Sequence, residues 1–467
     1  MSIVNTLSMQ KTPSTPNHKK ILFVTAPADG HFNPLTGLAK HLQSLGYDVR
    51  WYTQDSYKEK LTKLEIPHYP YLLAPQLHQG NFETFFKERE NQKSQTAKFK
   101  FDLEHVFILP ATKIILDLEE IYKEFSFDLV IADIFSFVIP MIKARLGVPV
   151  IAAGIIPMME TSRDLPPAGL GLTPSSNQIG KFGHNVLKWL TNNIIFKKPN
   201  KLFNEVLKNF GAVYPGKNIF DILYCSSDIV LQSCTPGFEY KRSDLSKNIR
   251  FAGPLLPYSS KKNREPWYDK RLAQYEKVIV LTQGTVEKDV NKLIVPTLEA
   301  LKDSDVLIIC TTGGSQTAEL KIKYNRSNII IEDFIPFDDV MPYADLYITN
   351  GGYGGVMLGI QNELPLLVAG VHEGKNEICA RVGYFKLGKN LKTETPKPAQ
   401  VAAAVKEVLG IPVYKTNVIN LRKEFSNYNP NELCAKYVAA LTQSGNDGIE
   451  GNGRAGSHAR RRDSAIY

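Results

Sequence analysis

At 467 residues the chain is too long for one ordinary hydrophobic core and suits two or three domains. Hydrophobic residues at 43% and charged residues at 22% describe a globular protein, no apolar run reaches the roughly 18–20 residues of a membrane span, and the net charge of +9 is scattered enough to argue for a solvated surface and against nucleic acid. The five cysteines are odd in number and form no CxxC pair, which argues against a disulfide framework or a zinc site and for reduced thiols in the cytoplasm.

Residues 1–19 carry Ser, Thr, Pro and Asn without an apolar signal core and read as a disordered leader. ILFVTA (21–26) is a continuous apolar run, as expected of a strand buried on both faces of a parallel sheet. DGHFNP follows, with Asn33 as the expected N-cap, Pro34 as the first helical residue and Gly46 closing the helix before a strand over 47–53. This βαβ unit puts His31 between strand end and helix start, on the edge where open α/β sheets bind ligands; a His that merely completes a turn is the plainer reading.

The stretch 67–118 is irregular, mixing aromatic and basic residues, and suits either a pocket lining or a surface helical pair. FDLVIAD (127–133) is the next strand, and Asp133 ends it at the same sheet edge as His31. A carboxylate on one imidazole nitrogen fixes the tautomer and leaves the other nitrogen to take a proton from a hydroxyl. The alternative for Asp133 is a helix N-cap. A helix over 137–146 and the strand VPVIAAG complete the unit, and the Pro/Gly-rich loop 154–176 suits a wall or lid over an apolar substrate, or a simple crossover. Helices are expected over 186–196 and 201–210, separated by Pro199, then strands at DIVLQSC and RFAG.

AGPLLPYSSKKNREP looks like an interdomain linker, which divides the chain into a domain over 20–248, a linker over 249–266 and a second domain over 267–415. There the βαβ rhythm restarts, with strands at KVIVLTQG, VLIICTT, NIIIEDF, LYITN and PLLVAG. After VLTQ, the backbone near Gly284 and the Thr285 hydroxyl offer hydrogen-bond donors. In DLYITNGGYGG (345–355) a strand ends at Asn350, and four glycines within five residues open a helix. A helix N-terminus with bare N–H groups is a phosphate site, although the pattern is neither a Walker loop nor GxGxxG and a plain glycine turn is the alternative. Helices are expected over 398–409 and 418–441, the latter broken at Asn429 and Pro430, before a Gly- and Arg-rich tail over 444–467 that reads as disordered.

DGHFNP, VIAD, AGPLLP, TQGT and DFIPF...ADLYITNGGYGG...ELPLLVAG, in this order and spacing, resemble the GT-B UDP-dependent glycosyltransferases that include plant secondary-product, macrolide and antibiotic enzymes, and within them a microbial NGGYGG subgroup. The resemblance implies an α/β fold of two Rossmann-like, doubly wound domains facing a central cleft, acceptor on the first and nucleotide sugar on the second, with the last helices, 416–443, packing back on the N-terminal domain. It implies His31 as general base and Asp133 as its orienting partner, Phe334 against uracil, the Ile335 backbone on the base, and Gly284, Thr285 and the run Gly352, Tyr353, Gly354, Gly355 around the diphosphate. Asn350 stands where that family has His, and Leu358 where it has a ribose-binding Glu. Its sugar-binding acid and Gln fall at Gly374 and Lys375, so Glu373 and Lys375 are the candidates for the sugar hydroxyls.

The expected reaction is inverting transfer of a hexose, glucose favoured, from a UDP-sugar to a hydroxyl of a small hydrophobic acceptor. No metal or other cofactor is expected, and the protein is expected in the cytoplasm as a monomer or weak dimer. An epimerase or hydrolase of nucleotide sugars, or a non-catalytic UDP-sugar-binding protein, are the alternatives on the same fold.

Overall fold

The computed structural model describes residues 19–77, 86–259, 265–284, 286–372 and 374–443. The expected leader apart from Lys19, the tail over 444–467, Thr285 and Glu373 lie outside the described residues.

Among the described residues thirteen strands form two parallel sheets. The first contains β1 (Lys20–Val24), β2 (Asp48–Thr53), β3 (His68–Pro70), β4 (Leu129–Asp133), β5 (Val150–Gly154), β6 (Ile229–Ser233) and β7 (Ile249–Gly253), in the order β3-β2-β1-β4-β5-β6-β7. The second contains β8 (Lys277–Thr282), β9 (Val306–Thr311), β10 (Ile329–Glu332), β11 (Leu346–Thr349), β12 (Leu366–Val368) and β13 (Gly388–Asn390), in the order β10-β9-β8-β11-β12-β13. Both are doubly wound. Every residue of β4 and β5 is buried, because helices cover both faces of a parallel sheet and leave no side for polar residues.

The helices used below are α1 (Asp29–Ser44), α2 (Leu109–Glu124), α3 (Gln178–Leu190), α4 (Lys197–Asn209), α5 (Tyr353–Gln361), α6 (Lys375–Tyr384), α7 (Pro412–Phe425) and α8 (Pro430–Gln443). None of the described helices is long and apolar enough to cross a membrane.

Several boundaries differ from the sequence reading. α1 opens at Asp29, with the Ala28 carbonyl accepting from the N–H groups of His31 and Phe32, so His31 lies in the first helical turn and Asn33 is not the N-cap. Pro34 is interior; the bond it cannot donate would go to the carbonyl of exposed Gly30, which solvent can reach. Pro199 is no helix break either. It stands in the first turn of α4, where N–H groups lack helical partners anyway. The linker expected from 249 starts at Pro254, because Ile249–Gly253 pairs with β6 as the edge of the first sheet.

The C-terminal helices split between the domains. Val418, Leu421 and Phe425 of α7 pack in a cluster built mostly by the second domain and joined by Cys234 and Phe238 of the first, whereas Cys434, Ala435 and Val438 of α8 pack in the first domain, α8 lying against α1, β4 and β7. α8 therefore lies on the N-terminal domain, while α7 also reaches it through Glu424, whose Oε1 accepts the N–H of Gly237 at 2.9 Å, and the chain crosses at 426–429, just before Pro430 opens α8.

A buried ion network clasps the two domains. Arg381 of α6 is fully buried; its Nε and Nη2 donate to Glu239 Oε2 at 3.1 and 2.8 Å, and its Nη1 to Glu377 Oε2 at 3.0 Å. Glu239 Oε1 accepts the N–H of Met158, and Glu377 Oε1 accepts those of Gly169 and Gly171, at 3.1, 2.9 and 2.8 Å. The loop 154–176 is thus strapped to α6 of the other domain. Burial works against the Arg381 charge, but Glu239 and Glu377 outweigh it and raise the guanidinium pKa above its ordinary value. Replacing Arg381 by Met leaves two carboxylates without their cation, and urea unfolding is expected to register a loss of about 3–5 kcal/mol.

Candidate active site

A doubly wound sheet opens a crevice where its strand order reverses, and ligands sit there beyond the carboxyl ends of the strands. The reversals fall between β1 and β4 in the first sheet and between β8 and β11 in the second. Most of the sequence-predicted site residues stand at these two places.

At the first, Asp133 closes β4 and His31 opens α1 after β1. His31 Nδ1 lies 2.9 Å from Asp133 Oδ1, a contact in which the ring donates its Nδ1 proton to the carboxylate and which leaves the Nε2 lone pair free in the neutral imidazole. The carboxylate is held rigidly. It also accepts from the N–H groups of Ala26 and Phe135 at 2.8 and 2.9 Å and from the Ser136 hydroxyl at 2.9 Å. Asp133 therefore closes the turn after β4 instead of capping a helix, which begins only at Ile139. Burial alone raises its pKa; the His31 ring, the Ala26 N–H and the Ser136 hydroxyl overcome that and hold it below the ordinary carboxylate value.

Beside this pair is an apolar cavity of about 50 Å³ lined by Gln54, Tyr71, Phe107, Phe135 and Phe137. Phe107 and Phe135 meet edge to face at 5.0 Å, and Phe135 also faces the edge of His31 at 6.4 Å. Phe107 lies in a π-helical stretch, Leu103–Ile108, whose wider turn precedes α2. The irregular region 67–118 thus supplies both helices and a cavity wall. Gln54, at the end of β2, is fully buried, and its Oε1 has no hydrogen-bond partner among the described residues. Phe135 was legible in the sequence two places after Asp133, whereas Gln54 and Phe107 reach the site only through the fold.

At the second reversal, Asn350 follows β11 and its side-chain N–H donates to the carbonyl of Gln283 after β8, tying the two loops together. Gly351 has φ of 82°, and a Cβ there would lie 2.4 Å from Cys379 Sγ, so only glycine fits. Gly352 is the N-cap of α5, and Gly354 and Gly355 occupy its first turn. A Cβ on Gly354 would meet nothing within 4 Å, which leaves the helix N-terminus bare. Gly284, at φ of 79°, faces Asn350. Lys375 opens α6, and with Gln283, Asn350 and Gly370 it lines a small cavity of about 10 Å³. Gln283 is fully buried, and its Oε1 has no hydrogen-bond partner among the described residues, a feature not singled out from the sequence.

Tyr353 turns away from this crevice. Its ring is buried at the domain interface and its hydroxyl donates to the carbonyl of Ser233 in β6, so its backbone alone belongs to the helix terminus. Phe334 and Ile335 follow β10, at the edge of the second sheet; Phe334 is 68% exposed, while the Ile335 side chain is buried. Leu358 packs against the apolar core on α5. The helices that begin at the two reversals, α1 and α5, touch across the domain boundary. Among the described residues no three His, Cys, Asp or Glu side chains converge as a metal site.

The chain is 31% identical over 407 residues to 4′-demethylrebeccamycin synthase of Lentzea aerocolonigenes, covering 87% of this chain and 96% of that protein. It belongs to the GT-B UDP-dependent glycosyltransferases. UDP-glycosyltransferase 2 of Phaeomoniella chlamydospora is 29% identical over 421 residues, covering 87% and 92% of the two chains. The calicheamicin glycosyltransferase CalG4 shares the fold with a TM-score of 0.70 at 17% identity, over 91% of this chain and 99% of that one. No protein-family profile matches. The chemistry of this glycosyltransferase is accordingly sugar transfer from a nucleotide sugar.

Two outcomes test the geometry. Because the Asp133 pKa is lowered on folding, its stabilisation is complete above the unfolded value of about 3.9 and is lost as pH falls through the lower folded value. Asp133→Asn is therefore expected to lower Tm at neutral pH, with the gap to wild type narrowing below about pH 4. Gly354→Asp adds a carboxylate to the first turn of α5, where the helix dipole favours it, so Tm is expected to hold. Calorimetry should nevertheless show nucleoside diphosphate binding weakened about tenfold or more by charge repulsion.

Proposed function

We propose that this glycosyltransferase is an inverting enzyme that moves a hexose, glucose favoured, from a UDP-sugar to a hydroxyl of a small, largely apolar acceptor. The observation that carries the reading is the pairing of His31 with a buried, fourfold-bonded Asp133 at one sheet reversal, with a bare helix N-terminus at the other.

The acceptor occupies the aromatic cavity side of His31, and the unpartnered Gln54 Oε1 suits one further donor group on it. His31 Nε2 takes the hydroxyl proton as the oxygen attacks the anomeric carbon from the face opposite the diphosphate. The bond from that carbon to the diphosphate oxygen breaks in the same displacement, and the configuration inverts. Negative charge growing on the leaving UDP meets the N–H groups of α5 around Gly352, Gly354 and Gly355, with Gly284 and the Thr285 hydroxyl assigned to the same diphosphate. Charge stabilisation from the helix terminus does not call for a metal.

Phe334, exposed at the carboxyl end of β10, is a platform for the uracil ring, with the Ile335 backbone on its edge. β10 lies two strands from β8, roughly 10 Å, a span that suits a base at one end and a diphosphate at the other. Lys375 and Glu373 are assigned to the sugar hydroxyls, and Asn350 to the loop geometry that holds the phosphates. The aromatic cavity favours transfer over donor-only epimerisation or hydrolysis, which need no second pocket.

With UDP-glucose and an acceptor panel, UDP release by His31→Ala is expected to fall about 10²–10⁴-fold while donor affinity is retained. Transfer by that variant at the wild-type rate overturns the mechanism.

A further inference from the structure

We propose that the outward face of α3 docks on an anionic lipid bilayer. Ile179, Phe182, Val186 and Trp189 follow one another at intervals of three and four residues and share one helical face, 85%, 70%, 42% and 59% exposed. No residue of α3 is buried. A surface helix normally turns such a stripe toward the core. Here the stripe stays in water: the half-buried side of α3 carries Gly180, His184, Leu187 and Lys188, and Lys188 donates to the carbonyl of Ser162 at 2.6 Å. Leu170 and Ile194, in the segments that flank α3, are also exposed, 43% and 59%, and four exposed apolar residues on one helical face exceed isolated surface hydrophobics.

Charge selects the occupant. From 165 to 204 the chain carries five lysines, at 181, 188, 197, 198 and 201, and no Asp or Glu. Glu104 holds Lys198 and Glu205 approaches Lys201, while Lys181 and Lys197 are exposed and make no ion pair among the described residues. An apolar stripe bordered by basic residues, with aromatic rings among its anchors, matches the interface of a membrane bearing anionic headgroups. A second copy of the chain fits less well, because a two-fold contact through this face brings lysines against lysines. The segment also joins the strap held by Glu377, so docking sets the domain clasp, and the cleft beside it, against the lipid surface.

Flotation of the full chain with vesicles tests this without any turnover. Binding is expected to phosphatidylcholine mixed with phosphatidylglycerol, weaker binding to phosphatidylcholine alone, and release as salt rises. Phe182→Ser with Trp189→Ser is expected to lower the bound fraction about tenfold, and Lys181→Glu with Lys197→Glu to lower it on anionic vesicles only. Both pairs are exposed, so Tm and transfer to a water-soluble acceptor should stay at wild-type values. The proposal is overturned if the wild-type chain remains unbound with both vesicle types, or if Phe182→Ser with Trp189→Ser floats like wild type. It is equally overturned if those serines dissolve a dimer of a chain that never floats, which assigns the face to a second copy.

Discussion

The arrangement of the cleft depends on one guanidinium. Two sheets that each own a hydrophobic core can hinge freely, and burying a charge between them is unfavourable unless every partner is satisfied. Arg381 meets that condition: Glu239 comes from the first domain, Glu377 from the same helix, and the remaining carboxylate oxygens accept backbone N–H groups of Met158, Gly169 and Gly171. The Tyr240 ring lies 4.4 Å from the guanidinium carbon. Such a network adds little net stability compared with an apolar contact, yet it admits one geometry, because any slip strands a buried charge.

That geometry sets the two sheet reversals against each other. Tyr353, the first residue of α5, reinforces it by bonding Ser233 across the boundary, so the helix that presents its bare N-terminus is anchored to the opposite domain through its own side chain. In the proposed reaction each domain supplies half of what is needed. One holds a base made rigid by Asp133; the other holds donors for the departing charge. Neither half serves transfer unless the clasp keeps them in register.

Much of this was legible in the residues themselves. Continuous apolar runs such as ILFV and LVIAD mark strands covered on both faces, and a His and an Asp at the ends of two such strands must share a sheet edge. Gly351, Gly352, Gly354 and Gly355 announce a helix that opens on bare backbone. The misplaced features share one cause, dependence on distant contacts. Ala28 caps α1 without a side-chain signal, Pro34 is tolerated because Gly30 can turn its carbonyl to water, and α7 joins the second domain because its apolar face fits there. Tyr353, read as a member of the phosphate loop, points elsewhere because Ser233 offers a carbonyl at the interface.

By itself the sequence determined the two repeated βαβ series, the strand ends that carry His31, Asp133, Gly284 and Asn350, and the glycine-opened helix, since these follow from local periodicity and steric demand. Only the tertiary structure decided which loops clasp the domains, that Gln54 and Phe107 complete a cavity beside His31, and that the apolar stripe of α3 faces water. Those outcomes rest on contacts between residues far apart in the chain, which no local pattern encodes.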